Sequence, residues 1–436
     1  MVSGGPPRVL IAGGGYVGVH TAMRLQKRLR AGEIEIVLVN PENFMLYQPL
    51  LPEVASGTLE PRHGVVPLRQ TLRSTHLVSG RLEGLQPERR VADIAREDGR
   101  HIELEYDHVV IGVGSLLRVL PIPGLAENAV GFNSVAEAIY LRNRVLAQME
   151  QAADESDLER RRRNLTFVFV GGGYSGVEAL AELEDMARAC LPYYSHLSRE
   201  DMRWVLIEAT DRILPVVEPK LSAYALTELR RRGIKVYLNT TLDSAEDCHL
   251  QLSNGEAFDA ETLVWTAGIM PNPVVGELGL PTDDMGRLPV DEFLRVAGAE
   301  NVWAAGDCAA VPDLVNEETC PPTAQHALRQ GRQLGENVAK VIRGEQPEPF
   351  RYRALGQMVT LGERKAVAQV LGKPFSGFVP WFMRRGYYAW NIPTWNRSVR
   401  VLVDWTVGLA FRRDVVHLGS LHDPRSSFKR AVSRSG

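Results

Sequence analysis

Short apolar runs alternate with helix-like stretches along this chain, and one arrangement of them occurs twice. Val9–Ala12 is a β-rich apolar run; Gly13, Gly14 and Gly15 follow, then two further residues and Gly18, and Thr21–Leu29 has helical character. A second apolar strand, residues 34–40 (IEIVLVN), ends in Asn40. The same order returns with the strand Leu165–Val170, then Gly171, Gly173 and Gly176, a helical stretch, and a strand at 203–209 (RWVLIEA) that carries Glu208. Strand, tight turn and helix in that order make each helix N-terminus an anion site. Bare glycine backbone there can approach a pyrophosphate and donate N–H groups to it.

The strand ends distinguish the two sites. A carboxylate at Glu208 can accept from a ribose 2′-hydroxyl and repel a 2′-phosphate, so the second site is expected to prefer NADH over NADPH, with Arg212 close by in sequence. Asn40 stands where an acid is usual, and its amide can still donate and accept. Two later phrases point to a flavin at the first site. Residues 106–115 (YDHVVIGVGS) form a strand leaving one domain through a glycine turn that includes Gly114. Residues 301–311 (NVWAAGDCAAV) form a strand ending in Gly306-Asp307, where an aspartate can accept from a polyol hydroxyl beside a flavin or cap a helix. The fold expected is α/β, with two Rossmann-like dinucleotide-binding domains that bring FAD and NADH together.

Composition narrows the chemistry. With 436 residues, 44% hydrophobic and 24% charged, the chain is long enough for more than one globular core. Cys190, Cys248, Cys308 and Cys320 form no CxxC pair, which argues against a dithiol active site and a structural metal, and the ten histidines are too scattered for a metal box. The first eight residues, MVSGGPPR, lack the apolar stretch of a signal peptide. No uninterrupted apolar run approaches the roughly 20 residues that span a bilayer, so the body is expected to be soluble.

With these motifs in place the chain resembles the two-dinucleotide-binding flavoprotein oxidoreductases, and within them the type II, non-proton-pumping NADH:quinone oxidoreductases. The broad resemblance rests on GGGYVG, GGGYSG, IGVGS and AAGDCA. The narrower one rests on residues 47–62 (YQPLLPEVASGTLEPR), 266–273 (TAGIMPNP), 321–331 (PPTAQHALRQG) and an aromatic-basic C-terminus. It implies an FAD-binding domain split between 1–120 and 285–345, an NADH-binding domain inserted at 121–284, and a C-terminal membrane-associating region at 346–436. It also implies cofactor contacts at Gly13, Gly15, Gly18, Asn40, Gly114, Asp307, Ala324 and Gln325 for FAD, and at Gly171, Gly173, Gly176, Glu178, Glu208 and Gly268 for NADH. Glu178, in the first turn after Gly176, would place the nicotinamide or move a proton; as a plain helix residue it would complement the dipole. Gln325 and Arg329 lie four residues apart on one helix face, where a quinone headgroup needs hydrogen-bond donors. The family often has Gln at both positions of an AQxxxQ pattern, and Arg329 departs from it. Lys365 is a further candidate at the acceptor.

The tail is the most basic part of the chain. Residues 373–436 carry eleven Lys/Arg against three Asp, a net charge of +8, which leaves −11 to the remainder. WFMRRGYYAW and VRVLVDWTVGLAFRR mix aromatic and aliphatic residues with arginine; Val401, Trp405, Leu409 and Arg412 or Arg413 fall at helical spacing. Such a pattern fits a helix lying on an anionic membrane, with Arg384, Arg385, Arg412 and Arg413 on phosphates, or a helix packed on the body or at a homodimer interface. Aromatics grouped with aliphatics argue against nucleic acid. The expectation is an FAD enzyme passing electrons from NADH to a quinone, held peripherally on the cytoplasmic face of a membrane. A soluble NAD(P)H-dependent reductase of a ferredoxin-like partner and a non-enzymatic redox sensor are the alternatives.

Overall fold

The computed structural model describes residues 5–30, 32–354, 356–411 and 413–418. It divides into two compact units: 1–47, 65–118 and 269–355 in the first, and 48–64, 119–268 and 356–436 in the second.

The first unit is built on a five-stranded parallel sheet in the order Val302–Ala304, His108–Ile111, Arg8–Ala12, Glu35–Asn40, His76–Ser79. Its central strand is buried on both faces, as a near-continuous apolar run requires. The helix Tyr16–Arg28 packs against the helix Ala324–Ile342 at very short range. Glycines allow this: a Cβ on Gly331 would lie 2.6 Å from the carbonyl oxygen of Val17, and one on Gly335 would lie 2.7 Å from that of Thr21. The Thr21 hydroxyl donates to the Gly331 carbonyl at 3.0 Å and locks the pair. A three-stranded antiparallel meander, Arg81–Gln86, Val91–Ala95 and His101–Glu105, completes this unit.

The second unit repeats the plan. Its parallel sheet runs Ala129–Val130, Thr262–Trp265, Thr166–Val170, Arg203–Ile207, Lys235–Tyr237. The helix Tyr174–Cys190 follows the central strand, and a capping box of Ser134 and Glu137 starts the helix Val135–Asp154. An antiparallel sheet of Gly356–Thr360, Ala366–Val370 and Lys373–Gly377 then leads into two tail helices, Phe378–Asn391 and Trp395–Ala410.

The unit boundaries differ from the sequence reading in three places. Residues 48–64 belong to the second unit, because Leu51, Val54 and Ala55 are buried where the short helix Leu51–Ala55 meets the helices Val135–Asp154 and Tyr174–Cys190. Residues 269–284 join the first unit, where Ile269–Pro271 pairs antiparallel with Ser115–Leu117. In the tail, the described residues 356–411 and 413–418 are not a region apart but integral to the second unit.

Candidate functional site: two glycine cradles and a buried charge cluster

The two glycine turns have the same construction. Gly13 and Gly171 sit at φ +107° and +111°, a region that L side chains avoid. A Cβ on Gly13 would lie 2.3 Å from the Gly112 carbonyl oxygen, and one on Gly171 2.8 Å from Thr266. A Cβ on Gly18 or Gly176 would lie 1.8 Å or 1.9 Å from the carbonyl oxygen of Gly13 or Gly171. Between them, a Cβ on Gly15 or Gly173 would meet no protein atom within 4 Å. These two residues cap the helices with no side-chain hydrogen bond and no acid in the first turn. Each helix therefore opens onto a cradle lined by bare backbone with an uncompensated positive end, and the pyrophosphate of a dinucleotide fits it.

The strand-end side chains brace these cradles. Asn40 Oδ1 accepts from the Gly14 N–H at 2.7 Å and its Nδ2 donates to the Glu42 carbonyl at 2.7 Å. Glu208 Oε2 accepts from the Gly172 N–H at 2.6 Å, while Oε1 accepts from the Thr210 N–H at 2.8 Å and hydroxyl at 2.7 Å. Thr266 adds a second brace: its hydroxyl donates to the Val170 carbonyl at 2.8 Å. Arg212 instead donates to the carbonyl of Pro215 at 2.6 Å.

In the first unit, Asp307 accepts from the Ser115 hydroxyl at 2.8 Å. Burial raises its carboxyl above the usual range, and the serine bond only partly opposes this, so a further hydroxyl donor would stabilise the charged form. Gly306 adopts φ +77° and its N–H donates to Gln330 Oε1 at 2.8 Å, which holds the Gly-Asp turn to the long helix. Gly114 turns at φ +70° with open space where a Cβ would stand. Ala324 opens the helix that Thr323 caps, and Gln325 and Arg329, both half-buried, stand one turn apart on it: Arg329 Nη1 donates to the Gln325 carbonyl at 3.1 Å.

In the second unit, Glu178 lies in the second helical turn and not the first, so it does not complement the helix end. It is buried, and its Oε1 accepts from the Thr360 N–H at 2.8 Å and pairs with Arg384 Nη2 at 3.2 Å. Arg384 also pairs with Glu53 Oε1 at 3.2 Å and donates to the Pro49 carbonyl at 2.6 Å. Burial pushes the Glu178 carboxyl up to about 7 and outweighs the opposing pull of Arg384; burial raises Glu53 in the same way. Gly268 turns at φ +89°. Lys365 Nζ pairs with Glu228 at 2.6 Å, which leaves its ammonium occupied within the second unit.

The tail reading needs correction. Arg384 is only 1% exposed. Arg385 lies over the rings of Trp381 at 4.0 Å and Trp405 at 4.8 Å, with Glu53 at 3.6 Å. Arg413 pairs with Asp185 at 2.5 Å. These three arginines therefore face carboxylates inside the unit and not phosphates outside it; Arg412 lies outside the described residues. Val401 and Trp405 are buried, and the apolar surface of the second tail helix is formed by Trp395, Val399, Leu402, Val403, Val407 and Leu409. A buried arginine beside buried acids could not be told from a solvated one by charge and periodicity alone.

The chain belongs to the pyridine nucleotide-disulphide oxidoreductase family, whose model matches residues 7–331. It is 30% identical over 397 residues to a probable NADH dehydrogenase of Dictyostelium discoideum, covering 89% of this chain and 87% of that protein. It is 28% identical over 419 residues to a type II NADH:quinone oxidoreductase of Mycobacterium tuberculosis, covering 92% and 88%. The fold matches NDH2 of Plasmodium falciparum, solved in complex with NADH, at a TM-score of 0.88 with 18% identity, covering 94% of this chain and 99% of that one.

Proposed function

We propose that this protein is a type II NADH:quinone oxidoreductase that oxidises NADH through bound FAD and reduces a membrane quinone without pumping protons. The observation that carries the reading is the pair of open glycine cradles in one chain, each at a bare helix N-terminus, in a member of this family with relatives named for NADH and quinone. FAD, when bound, takes a hydride from NADH and passes its electrons to the quinone.

The residues of this chain hold, orient and protonate. Gly13, Gly15 and Gly18 seat the FAD pyrophosphate, and Asp307 accepts from its polyol chain, with Gly114 and Asn40 shaping the same cradle. Gly171, Gly173 and Gly176 seat NADH, Glu208 accepts from its ribose, and Gly268 borders it. Ala324 and Gln325 meet the quinone headgroup. Glu178, with its carboxyl near 7, can hold or release a proton at neutral pH, and quinone reduction consumes protons.

The tail helices serve as the membrane contact. Phe378, Val379, Phe382 and Trp390 recur at helical spacing on the outside of the first, and Trp390 and Trp395 are 89% and 80% exposed. Such a contiguous apolar face on a protein whose electron acceptor dissolves in lipid fits a peripheral, interfacial seat, on the cytoplasmic side where NADH is supplied. Replacing Trp390, Trp395, Leu402 and Leu409 with Ser removes apolar surface while sparing the buried arginines. These changes should abolish vesicle binding and quinone turnover in liposomes yet keep FAD; unchanged vesicle binding contradicts the membrane seat. The homodimer is tested on the same preparation, by sedimentation in detergent.

The activity is tested by comparing NADH oxidation with a quinone, ferricyanide and a ferredoxin side by side. Quinone and ferricyanide should support turnover. Turnover with the ferredoxin alone would favour the soluble reductase, and none with any acceptor would favour the sensor.

A further inference from the structure

We infer that Asp404 is a positioning residue of the proposed membrane contact: together with His63 it clasps the second tail helix, Trp395–Ala410, along one edge and so fixes which face of that helix meets lipid. The inference rests on the membrane seat proposed above and adds to it a polar tie that the aromatic-basic pattern of the tail does not mark.

Asp404 is the one acidic residue of that helix. Its Oδ2 lies 2.5 Å from His63 Nδ1 and accepts from the Glu60 N–H at 3.1 Å, and both side chains of the pair are largely covered. Two turns earlier, Arg397 Nη1 donates to the Arg62 carbonyl at 2.8 Å. One turn later, a Cβ on Gly408 would stand 3.8 Å from the Thr58 methyl group. Between these points Val401 and Trp405 are buried. Positions 397, 401, 404, 405 and 408 fall on one helical stripe, and this stripe is the one turned to the body. The receiving segment is itself anchored: the Thr58 and Leu59 N–H groups each donate to the Glu53 carbonyl at 3.0 Å, and Leu59 is buried. Both partners of the clasp belong to the second unit.

Apolar packing alone leaves the rotation of this helix open. Its inner stripe carries Val401 and Trp405, and its outer surface carries Val399, Leu402 and Leu409, all three exposed. In water, burying either face is favourable. Against lipid the preference weakens further, because acyl chains are as apolar as the side chains that would pack inward. A helix apolar on both sides can therefore roll about its axis at little apolar cost. A single carboxyl group removes that freedom. Rolled outward, Asp404 would leave His63 and the Glu60 N–H and enter a medium with no donor to offer. Rolled inward, it finds both. Arg397 adds a second tie seven residues away on the same edge, which holds the helix against lifting at that end. The result is a fixed rotation in which Leu402 and its neighbours point away from the body.

The test uses full-length, FAD-replete protein bound to vesicles of phosphatidylcholine and phosphatidylglycerol that contain a long-chain quinone. A nitroxide label is placed by Leu402→Cys in a Cys248→Ser background, since the other three cysteines are buried. Its collisions with oxygen, which dissolves in lipid, are compared with its collisions with a water-soluble nickel complex. In the otherwise wild-type protein oxygen should dominate. Asp404→Ala and His63→Ala should each lower the ratio about three- to tenfold, the scale of one or two net hydrogen bonds. The double variant should lower it no further than Asp404→Ala alone. Quinone turnover should fall by the same factor while ferricyanide turnover holds, with FAD content and melting temperature as folding controls. An unmoved label in both alanine variants, additive effects in the double variant, or equal losses with quinone and ferricyanide overturns the inference. Should Asp404→Ala cost FAD, Arg397→Met releases the other tie and keeps the stem. It should move the label in the same direction, and an unmoved label there also overturns the inference. A wild-type label that meets the nickel complex and not oxygen sinks the membrane seat and this inference together.

Discussion

The two glycine cradles share a backbone and differ in what surrounds it. Both use a left-handed glycine at the strand end, an open middle glycine, and a last glycine within 2 Å of carbonyl contact if a Cβ were added. Both anchor the glycine after the first through a side chain from the neighbouring strand. That side chain is a neutral amide in one and a carboxylate already accepting three hydrogen bonds in the other. The first cradle is joined by a half-buried aspartate on a Gly-Asp turn; the second is followed one helical turn on by a buried glutamate tied to a buried arginine. In the proposed function the shared part is the pyrophosphate seat, and the parts that differ choose which dinucleotide occupies it.

Substitution of the last glycine should break the comparison most sharply. Gly18→Ala and Gly176→Ala each force a methyl into a carbonyl oxygen, at a cost of about 3 kcal/mol or more. Gly18→Ala should yield protein without FAD, whereas Gly176→Ala should retain FAD and lose reduction by NADH. Absorbance of the purified proteins and NADH titration check both, and the reverse pattern would exchange the two assignments.

Asp307→Ala should come next. It removes a charged acceptor worth about 1.5–3 kcal/mol, so FAD occupancy measured after dialysis should fall by tenfold or more; full occupancy removes Asp307 from the site. Stability should also depend on pH through Glu178. Its folded carboxyl lies near 7 against an ordinary value of 4.5, so the folded state holds the proton more tightly than the unfolded state. Stability from this group is fully present below about 4.5 and is lost as pH rises through about 7, at most about 3 kcal/mol. Glu178→Gln should flatten the melting temperature between pH 5 and 7.5, and an unchanged slope would assign the effect to other groups. Glu208→Gln should give the smallest change: the preference for NADH over NADPH should narrow about tenfold, the scale of one charge-assisted hydrogen bond. A wild type that favours NADPH contradicts the role of Glu208.

Much of this architecture was legible because the two strand-turn-helix phrases are local: a parallel strand, a positive-φ glycine and a helix start leave their mark within twenty residues. The placement of Asp307 and Glu208 was legible for the same reason, as each lies within three residues of a strand's end. The charge cluster was not. Glu53, Glu178 and Arg384 are far apart in sequence. Only the packing of the short helix Leu51–Ala55 against Tyr174–Cys190, and of the first tail helix on the sheet of Gly356–Thr360, brings them together. Arginines in a basic tail read as solvated until their partners are known.

The central claim is that one cradle holds the electron donor, the other the flavin, and the electrons leave to a quinone. Anaerobic single turnover tests it most directly. Adding one equivalent of NADH to the FAD-bound protein in liposomes should bleach the flavin absorbance, and adding quinone should restore it fully. Flavin that stays oxidised with NADH, or that is bleached but restored by a ferredoxin and not by quinone, would contradict the account.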